Sequence, residues 1–154
     1  MVDAGDARWI TDGQVIGFDP LAGRTAQAEA ALLGAHRGYD CWRKDAMPAR
    51  WQYGAHPRVP AIVCQMHAGW DALTETRART RRPGATRGSH GYDPALDSMQ
   101  AVFIASGPAF RPGARVGAVD NIHVYALLAR LVGVSPRAHD GDPRALRPLL
   151  RDGW

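Results

Sequence analysis

The residues best suited to chemistry lie in the segment 88–93, which reads GSHGYD. The segment predicts a loop that presents the imidazole of His90, because Gly88 and Gly91 leave the backbone free to adopt positive φ and to approach an ion closely. A neutral imidazole is a good zinc ligand. One imidazole cannot hold a catalytic metal by itself, so the pattern indicates the trailing part of a metal-site enzyme.

A second interpretation of His90 is a loop histidine bonded to a backbone carbonyl, and the spacing alone favours this simpler role. Asp93 could orient a ring or bind a metal as well. No two histidines have the i, i+4 spacing of a zinc-binding helix, and no serine lies in a GxSxG context. The other histidines are His36, His56, His67, His123 and His139. The residues themselves therefore leave both interpretations of His90 open.

An α/β arrangement of strands and helices is expected to position this loop. The spacing of apolar residues and the positions of turn residues predict strands at 14–18, 39–43, 59–66 and 101–105. They predict helices at 26–33 and 122–132. The run 101–105 (AVFIA) is continuously apolar, which is typical of a strand buried on both faces of a sheet. The last helix is expected to carry an apolar stripe and to end at Gly133. The stripe consists of Tyr125, Leu128, Leu131 and Val132.

Cys41 and Cys64 both lie in strand-like segments, 23 positions apart. Two neighbouring strands could bring them to disulfide distance, which would imply an oxidising compartment. The alternative is two buried free thiols, and the sequence does not decide between them. The sequence has no CxxC pair, so a cysteine zinc site is not supported.

Composition fits one globular domain of 154 residues, with 45% hydrophobic and 22% charged residues. No apolar run reaches the length of about 18 residues that a membrane-spanning helix needs. Residues 1–8 contain acids and no apolar core, so they are not a secretory signal.

Basic residues are unusual because all but Lys44 are arginine, and the net charge is +4. Five arginines crowd the segment 77–87, which could attract a phosphate-bearing ligand or nucleic acid. They are Arg77, Arg79, Arg81, Arg82 and Arg87. No aromatic residues interleave with them, so a solvated surface loop is favoured over a nucleic-acid site.

Several blocks follow one another in an order that resembles the bacterial nucleotide pyrophosphatase/phosphodiesterases of the alkaline phosphatase superfamily. The blocks are 42–44 (WRK), 47–54 (MPARWQYG), 56–60 (HPRVP), 64–70 (CQMHAGW), 88–93 (GSHGYD), 107–108 (GP) and 120–125 (DNIHVY). The resemblance covers about residues 11–150 and is to the C-terminal part of the family. It implies that residues 1–154 are a single partial domain of an alkaline-phosphatase-like sandwich, with a mostly parallel central sheet flanked by helices.

The resemblance also implies an activity, the zinc-dependent hydrolysis of phosphodiester or pyrophosphate bonds in nucleotides. Family members carry two zinc ions and a threonine nucleophile, and the histidine of the GxHGYD motif is a zinc ligand. Carried over, that ligand is His90. The nucleophile and the other five metal ligands lie upstream in relatives, so the missing N-terminal portion is an expected partner and this chain alone is expected to be inactive. Relatives are periplasmic or secreted, with the signal on that upstream part.

Three functional hypotheses follow. The first is the C-terminal portion of a zinc phosphodiesterase, which would leave apolar surface exposed in isolation because the central sheet loses its leading strands. The second is a catalytically dead remnant or binding scaffold of the same fold. The third, nucleic-acid binding through residues 77–87, is the weakest.

Overall fold

The computed structural model describes residues 5–54, 56–82, 84 and 88–152. The chain divides into two compact units, Met1–Ala101 and Val102–Trp154. Each unit has its own cluster of buried apolar side chains. The assignment of residues 1–154 to one partial domain remains a prediction.

The first unit is built on a five-stranded sheet in the order β1-β2-β5-β4-β3. Its strands are β1 (Ala7–Thr11), β2 (Val15–Pro20), β3 (Gly34–His36), β4 (Tyr39–Arg43) and β5 (Ile62–Met66). Every neighbouring pair is antiparallel. The prediction of a mostly parallel sheet was therefore wrong for this part of the fold. Short links join β1 to β2 and β3 to β4, whereas parallel neighbours need a crossover of about a dozen residues.

Two helices belong to the same unit, α1 (Thr25–Leu32) and α2 (Glu75–Thr80). Helix α1 matches the predicted helix to within one residue at each end and buries Ala28 and Leu32 in the core. Helix α2 lies in a segment that was expected to be a loop. The Thr74 side chain accepts a hydrogen bond from the Arg77 backbone at its start, which satisfies one of the amides that a helix N-terminus leaves free.

The core of the first unit lies under the central strands. Strand β5 is buried at every position, and Ile16 and Phe18 of β2 are fully buried beside it. Cys41 of β4 lies directly opposite Cys64 of β5, with 4.0 Å between their Cα atoms, and the two form a disulfide. Of the two states that the sequence left open, the structure has the disulfide.

The second unit holds helix α3 (Val124–Leu131), preceded by the 3₁₀ turn Asn121–His123. Its core joins Leu127 of α3 to four other residues, Ala109, Leu146, Leu149 and Leu150. The helix buries Ala126, Leu127 and Ala129. Three of the four residues of the predicted apolar stripe are exposed, namely Tyr125, Leu128 and Val132. The helix is therefore apolar on two faces, and its own unit covers only one.

The segment 101–105 is not a strand in the structure, so the prediction of a buried strand was wrong for this chain. Val102 is 84% exposed and Ile104 is 85% exposed. A strand exists only where a neighbouring strand pairs with its backbone, and the described residues provide none here.

No helix in the described part of the chain is both long enough and apolar enough to cross a membrane.

Candidate metal-ligand loop

Residues 88–93 form a loop that is fastened to the sheet of the first unit. The side-chain amide of Gln65, in the buried strand β5, donates hydrogen bonds to the Gln14 and Gly91 carbonyls, both at 3.0 Å. Gly91 has φ +92°, a left-handed conformation that suits glycine. Because Gln65 is a buried polar side chain, these bonds offset the cost of placing its amide in the core.

A second attachment holds the loop at Ser89. The Gln14 side-chain amide lies 3.3 Å from the Ser89 hydroxyl and also bonds the Asp71 carboxylate. Arg81 lies 2.6 Å from the same carboxylate. Burial acts to raise the pKa of Asp71, but the hydrogen bonds from Arg81 and Gln14 outweigh it and leave that pKa below its usual value. Asp71 is therefore an anionic anchor for this side of the loop.

Tyr92 and Asp93 hold the end of the loop. The Tyr92 hydroxyl donates to the Trp70 carbonyl at 3.0 Å, and the Tyr92 ring packs on the core. Both oxygens of Asp93 bind the Arg50 guanidinium. That bidentate pair is the main reason why the pKa of Asp93 falls to about 2. Asp93 is thus committed to Arg50, which argues against the metal-binding role considered from the sequence.

His90 differs from its anchored neighbours because its side chain is exposed and no described residue bonds its ring. Each of the other five histidines has a partner. His36 bonds the Leu32 carbonyl at 2.8 Å, and His67 lies 3.0 Å from Asp40. The other three rings each accept a hydrogen bond from a backbone amide: His56 from Arg58 at 3.1 Å, His123 from Asp142 at 2.9 Å and His139 from Gly141 at 3.0 Å. The interpretation of His90 as a ring held by a backbone carbonyl therefore has no partner atom in the described structure.

The donor set fits one ligand of a zinc site and no more. Within residues 5–54, 56–82, 84 and 88–152, no group of three or more histidine, cysteine or acidic side chains is placed to hold a metal. Both cysteines are used by the disulfide. A closed or catalytic zinc site needs about three or four protein ligands, so His90 could complete such a site but could not form one.

An open cleft of about 690 Å³ adjoins the loop at Ser89 and Tyr92. Its polar lining includes Asp71, Arg81, Arg82 and Ser98. The cleft could receive a polar part of a ligand beside the His90 loop.

The arginine-rich segment is largely paired with acids of the first unit. Arg77 binds Asp12, Arg79 lies 2.5 Å from Glu75, and Arg81 binds Asp71. Arg87 lies outside the described residues. Because these carboxylates neutralise three of the arginines, the segment is less cationic than its sequence indicates.

The anchoring residues Gln14, Gln65 and Arg50 were not identified from the sequence. Gln65 did carry a signal, because it is the one polar residue inside the apolar strand 62–66. A polar side chain in a buried strand needs a partner, but its sequence position does not reveal which one. Gln14 and Arg50 carry no such signal.

Comparison with known proteins places this geometry in a family. Residues 1–93 match the model of type I phosphodiesterase / nucleotide pyrophosphatase. The chain is 33% identical over 131 residues to human ectonucleotide pyrophosphatase/phosphodiesterase family member 7, which corresponds to 85% of this chain and 28% of that protein. It is 30% identical over 141 residues to human member 5, over 92% of this chain and 28% of that protein.

Solved structures agree with the sequence comparison. Human ectonucleotide pyrophosphatase/phosphodiesterase 5 superposes with a TM-score of 0.81 at 27% identity, over 97% of this chain and 39% of the human one. An inactive murine form of the same enzyme, in complex with AMP, gives 0.79 at 30% identity, over 97% of this chain and 38% of the murine one. The chain thus spans less than half the length of these relatives and shares their fold over that span. It belongs to the type I phosphodiesterase / nucleotide pyrophosphatase family.

Proposed function

We propose that this chain supplies one arm of a zinc-dependent active site that hydrolyses phosphodiester or pyrophosphate bonds in nucleotides. The observation that carries the proposal is the loop 88–93, in which Ser89, Gly91 and Asp93 are each tied down while the His90 imidazole is exposed and has no partner among the described residues. Family membership supports the reaction class. The AMP bound to the murine relative supports a nucleotide substrate.

His90 is the residue that would hold zinc, through a ring nitrogen of the neutral imidazole. When bound, a pair of zinc ions supplies positive charge at the entering and leaving oxygens of the phosphoryl group. The threonine nucleophile and the remaining ligands would come from family sequence outside these 154 residues. The role of Gln65, Gln14 and Arg50 is to hold the loop so that binding does not require it to become ordered.

The compartment that suits this proposal is an oxidising one. The Cys41–Cys64 disulfide supports export, because such bonds persist in secreted and periplasmic proteins and are rare in reducing cytosol.

A chimaera tests the proposal. This chain replaces the matching segment of human family member 7, and hydrolysis of bis(p-nitrophenyl) phosphate is measured with zinc present. We expect His90→Ala to lower kcat/KM by at least about 100-fold, since a zinc ligand is lost. The matched control is His56→Ala, which removes another exposed loop histidine and should change the rate by less than about 3-fold. Equal losses in the two variants would contradict a ligand role for His90.

A second candidate function is a catalytically inactive scaffold of the same fold. The observation in its favour is that the described residues hold no group of three or more metal-binding side chains. Both candidates predict that the chain by itself hydrolyses the same substrate no faster than its His90→Ala variant. They separate in the chimaera, where an inactive parent protein with normal folding would favour the scaffold.

A further inference from the structure

The open cleft beside the His90 loop is lined by cationic and hydroxyl groups that the proposed reaction does not use. Its lining belongs to the first unit and comes from helix α2 and the residues after it, the residues that follow β5, the His90 loop and the 3₁₀ turn Asp97–Met99. We propose that this cleft binds a phosphate group through two guanidinium groups and two serine hydroxyls. These groups belong to Arg81, Arg82, Ser89 and Ser98.

The charge of the lining favours an anionic ligand. Arg81 and Arg82 contribute two positive charges, and Asp71 is the one acidic residue among the described residues of the lining. The Asp71 side chain is only 14% exposed and is already bonded to Arg81 and to the Gln14 amide. Two positive charges against one compensated negative charge leave an excess of one positive charge, which attracts an anion into the cleft.

Hydrogen-bond donors in the lining are left over for a ligand. A guanidinium has five N–H groups, and that of Arg81 has one acceptor among the described residues, the Asp71 carboxylate. The Ser89 oxygen accepts from the Gln14 amide at 3.3 Å, so its own O–H is left to donate. The Ser98 side chain is exposed and has no partner in the described part of the chain. Phosphate oxygens accept such bonds, and guanidinium groups match their geometry.

The size and composition of the cleft argue for a small ligand. Its volume of about 690 Å³ lies within the usual range for small-molecule sites, and the small residues Ala68, Gly69 and Ala78 line it. A calcium or magnesium ion needs more carboxylates than the one that the described lining offers. A single-stranded nucleic acid needs exposed aromatic rings for stacking, whereas the Tyr92 ring packs on the core.

The test is a titration of the full chain with sodium phosphate, without zinc and at constant ionic strength, followed by NMR of the backbone amides. We expect saturable shifts at Ser89 and Ser98. Ser98→Glu should weaken phosphate binding by at least about 10-fold, because it places a carboxylate in the cleft. The matched control is Ser135→Glu, which adds the same charge at an exposed position of the second unit and should change the affinity by less than about 2-fold.

A second pair of variants tests the guanidinium. Arg81→Gln should weaken phosphate binding by at least about 10-fold, since a charged donor is lost. Arg79→Gln is its control, because Arg79 pairs with Glu75 and does not line the cleft. If Arg81→Gln fails to fold, Ser98→Glu decides, because Ser98 is exposed and bonds no described residue. Shifts that do not saturate, or equal losses in a variant and its control, would overturn the proposal.

Two sources can supply the phosphate, the substrate itself or free inorganic phosphate, and the chimaera separates them. ATP releases pyrophosphate as its leaving group, whereas bis(p-nitrophenyl) phosphate carries no second phosphate. A rise of KM for ATP alone in the Ser98→Glu chimaera, with kcat unchanged, would assign the site to the substrate. Unchanged KM for both compounds, together with phosphate binding by the parent chain, would assign it to free phosphate.

This inference rests on the proposed function only for the assignment of that source. His90→Ala should leave phosphate binding by the chain unchanged, because His90 does not line the cleft. Saturable binding by the chain together with an inactive chimaera would therefore count against the proposed function and leave the phosphate site standing.

Discussion

The sheet of the first unit and the apolar segments of the second unit differ in how fully their backbone groups are hydrogen-bonded and their side chains are buried. Strand β5 pairs with β2 on one side and β4 on the other, and every one of its side chains is buried. The segment 101–106 has a similar run of apolar residues but no paired backbone among the described residues, and Val102 and Ile104 face water. Apolar character alone therefore does not place a segment in a core.

The two units therefore differ in how completely their own residues cover their apolar side chains. The first unit closes its core with a disulfide and with neighbours on both sides of β5. The second unit packs one face of α3 and leaves the other open. We expect substitutions in the core of the first unit to lower the stability of the chain, and substitutions at the exposed apolar residues of the second unit to leave that stability nearly unchanged.

The largest expected change in the free energy of unfolding comes from truncating a buried isoleucine of the first unit, and the same truncation of an exposed isoleucine of the second unit provides the contrast. Ile16→Ala removes a fully buried side chain of β2 and should lower the free energy of unfolding by about 2–5 kcal/mol. Ile104→Ala removes an exposed side chain and should change it by less than about 0.5 kcal/mol. Urea denaturation followed by circular dichroism measures both. Equal losses of stability would show that Ile104 is packed in the isolated chain, and would contradict the difference in burial between the two isoleucines.

Loss of the disulfide should have the next largest effect. Replacing Cys41 and Cys64 together by alanine should cost about 2–4 kcal/mol, because a 23-residue separation is no longer closed in the unfolded chain. The same urea titration, run on the parent chain with and without a reductant, gives the control. An unchanged midpoint after complete reduction would contradict a stabilising disulfide.

Gln65→Met should lower the free energy of unfolding by about 1–3 kcal/mol, since the Gly91 carbonyl loses its side-chain donor and the Gln14 carbonyl keeps only the Met66 amide. The amides of residues 89–92 should also exchange faster with solvent. Gln100→Met is the control, because Gln100 is exposed. Exchange rates in 89–92 that match the parent would show that other contacts suffice to hold the His90 loop.

The smallest effect is the pH dependence from Asp93. Its pKa in the folded protein is about 2, whereas the unfolded carboxyl titrates near 3.8. Its contribution is therefore fully present above the unfolded value and is lost as the pH falls from about 4 to about 2. We expect the pair to contribute less than about 1 kcal/mol to the free energy of unfolding, because Arg50 is half exposed and solvent screens the interaction. Urea titrations should show the parent chain to be more stable than Asp93→Asn above about pH 4, with a difference that shrinks as the pH falls to about 2 and vanishes below it.

Local patterns predicted part of the fold well. Strand β4 was predicted with its observed ends, and α1 to within one residue at each end. Both predictions used the spacing of apolar residues and the turn residues, which are signals that extend over only a few positions. Strands β1 and β3 and helix α2 were missed, since they are short or lie in polar segments. The parallel sheet was inferred from the resemblance rather than from these residues. Short links explain why β1 pairs antiparallel with β2 and β3 with β4, whereas the antiparallel pairing of β5 with β2 and β4 is set by the tertiary fold.

Residue types and spacing were enough to identify His90 between its glycines and the two cysteines in separate strands. Their arrangement depends on contacts between distant parts of the chain. The register of β4 on β5 sets Cys41 opposite Cys64. The bonds that anchor the His90 loop join residues 26, 43 and 75 positions apart. Contacts over such separations form only when the whole chain folds, so local periodicity carries no record of them.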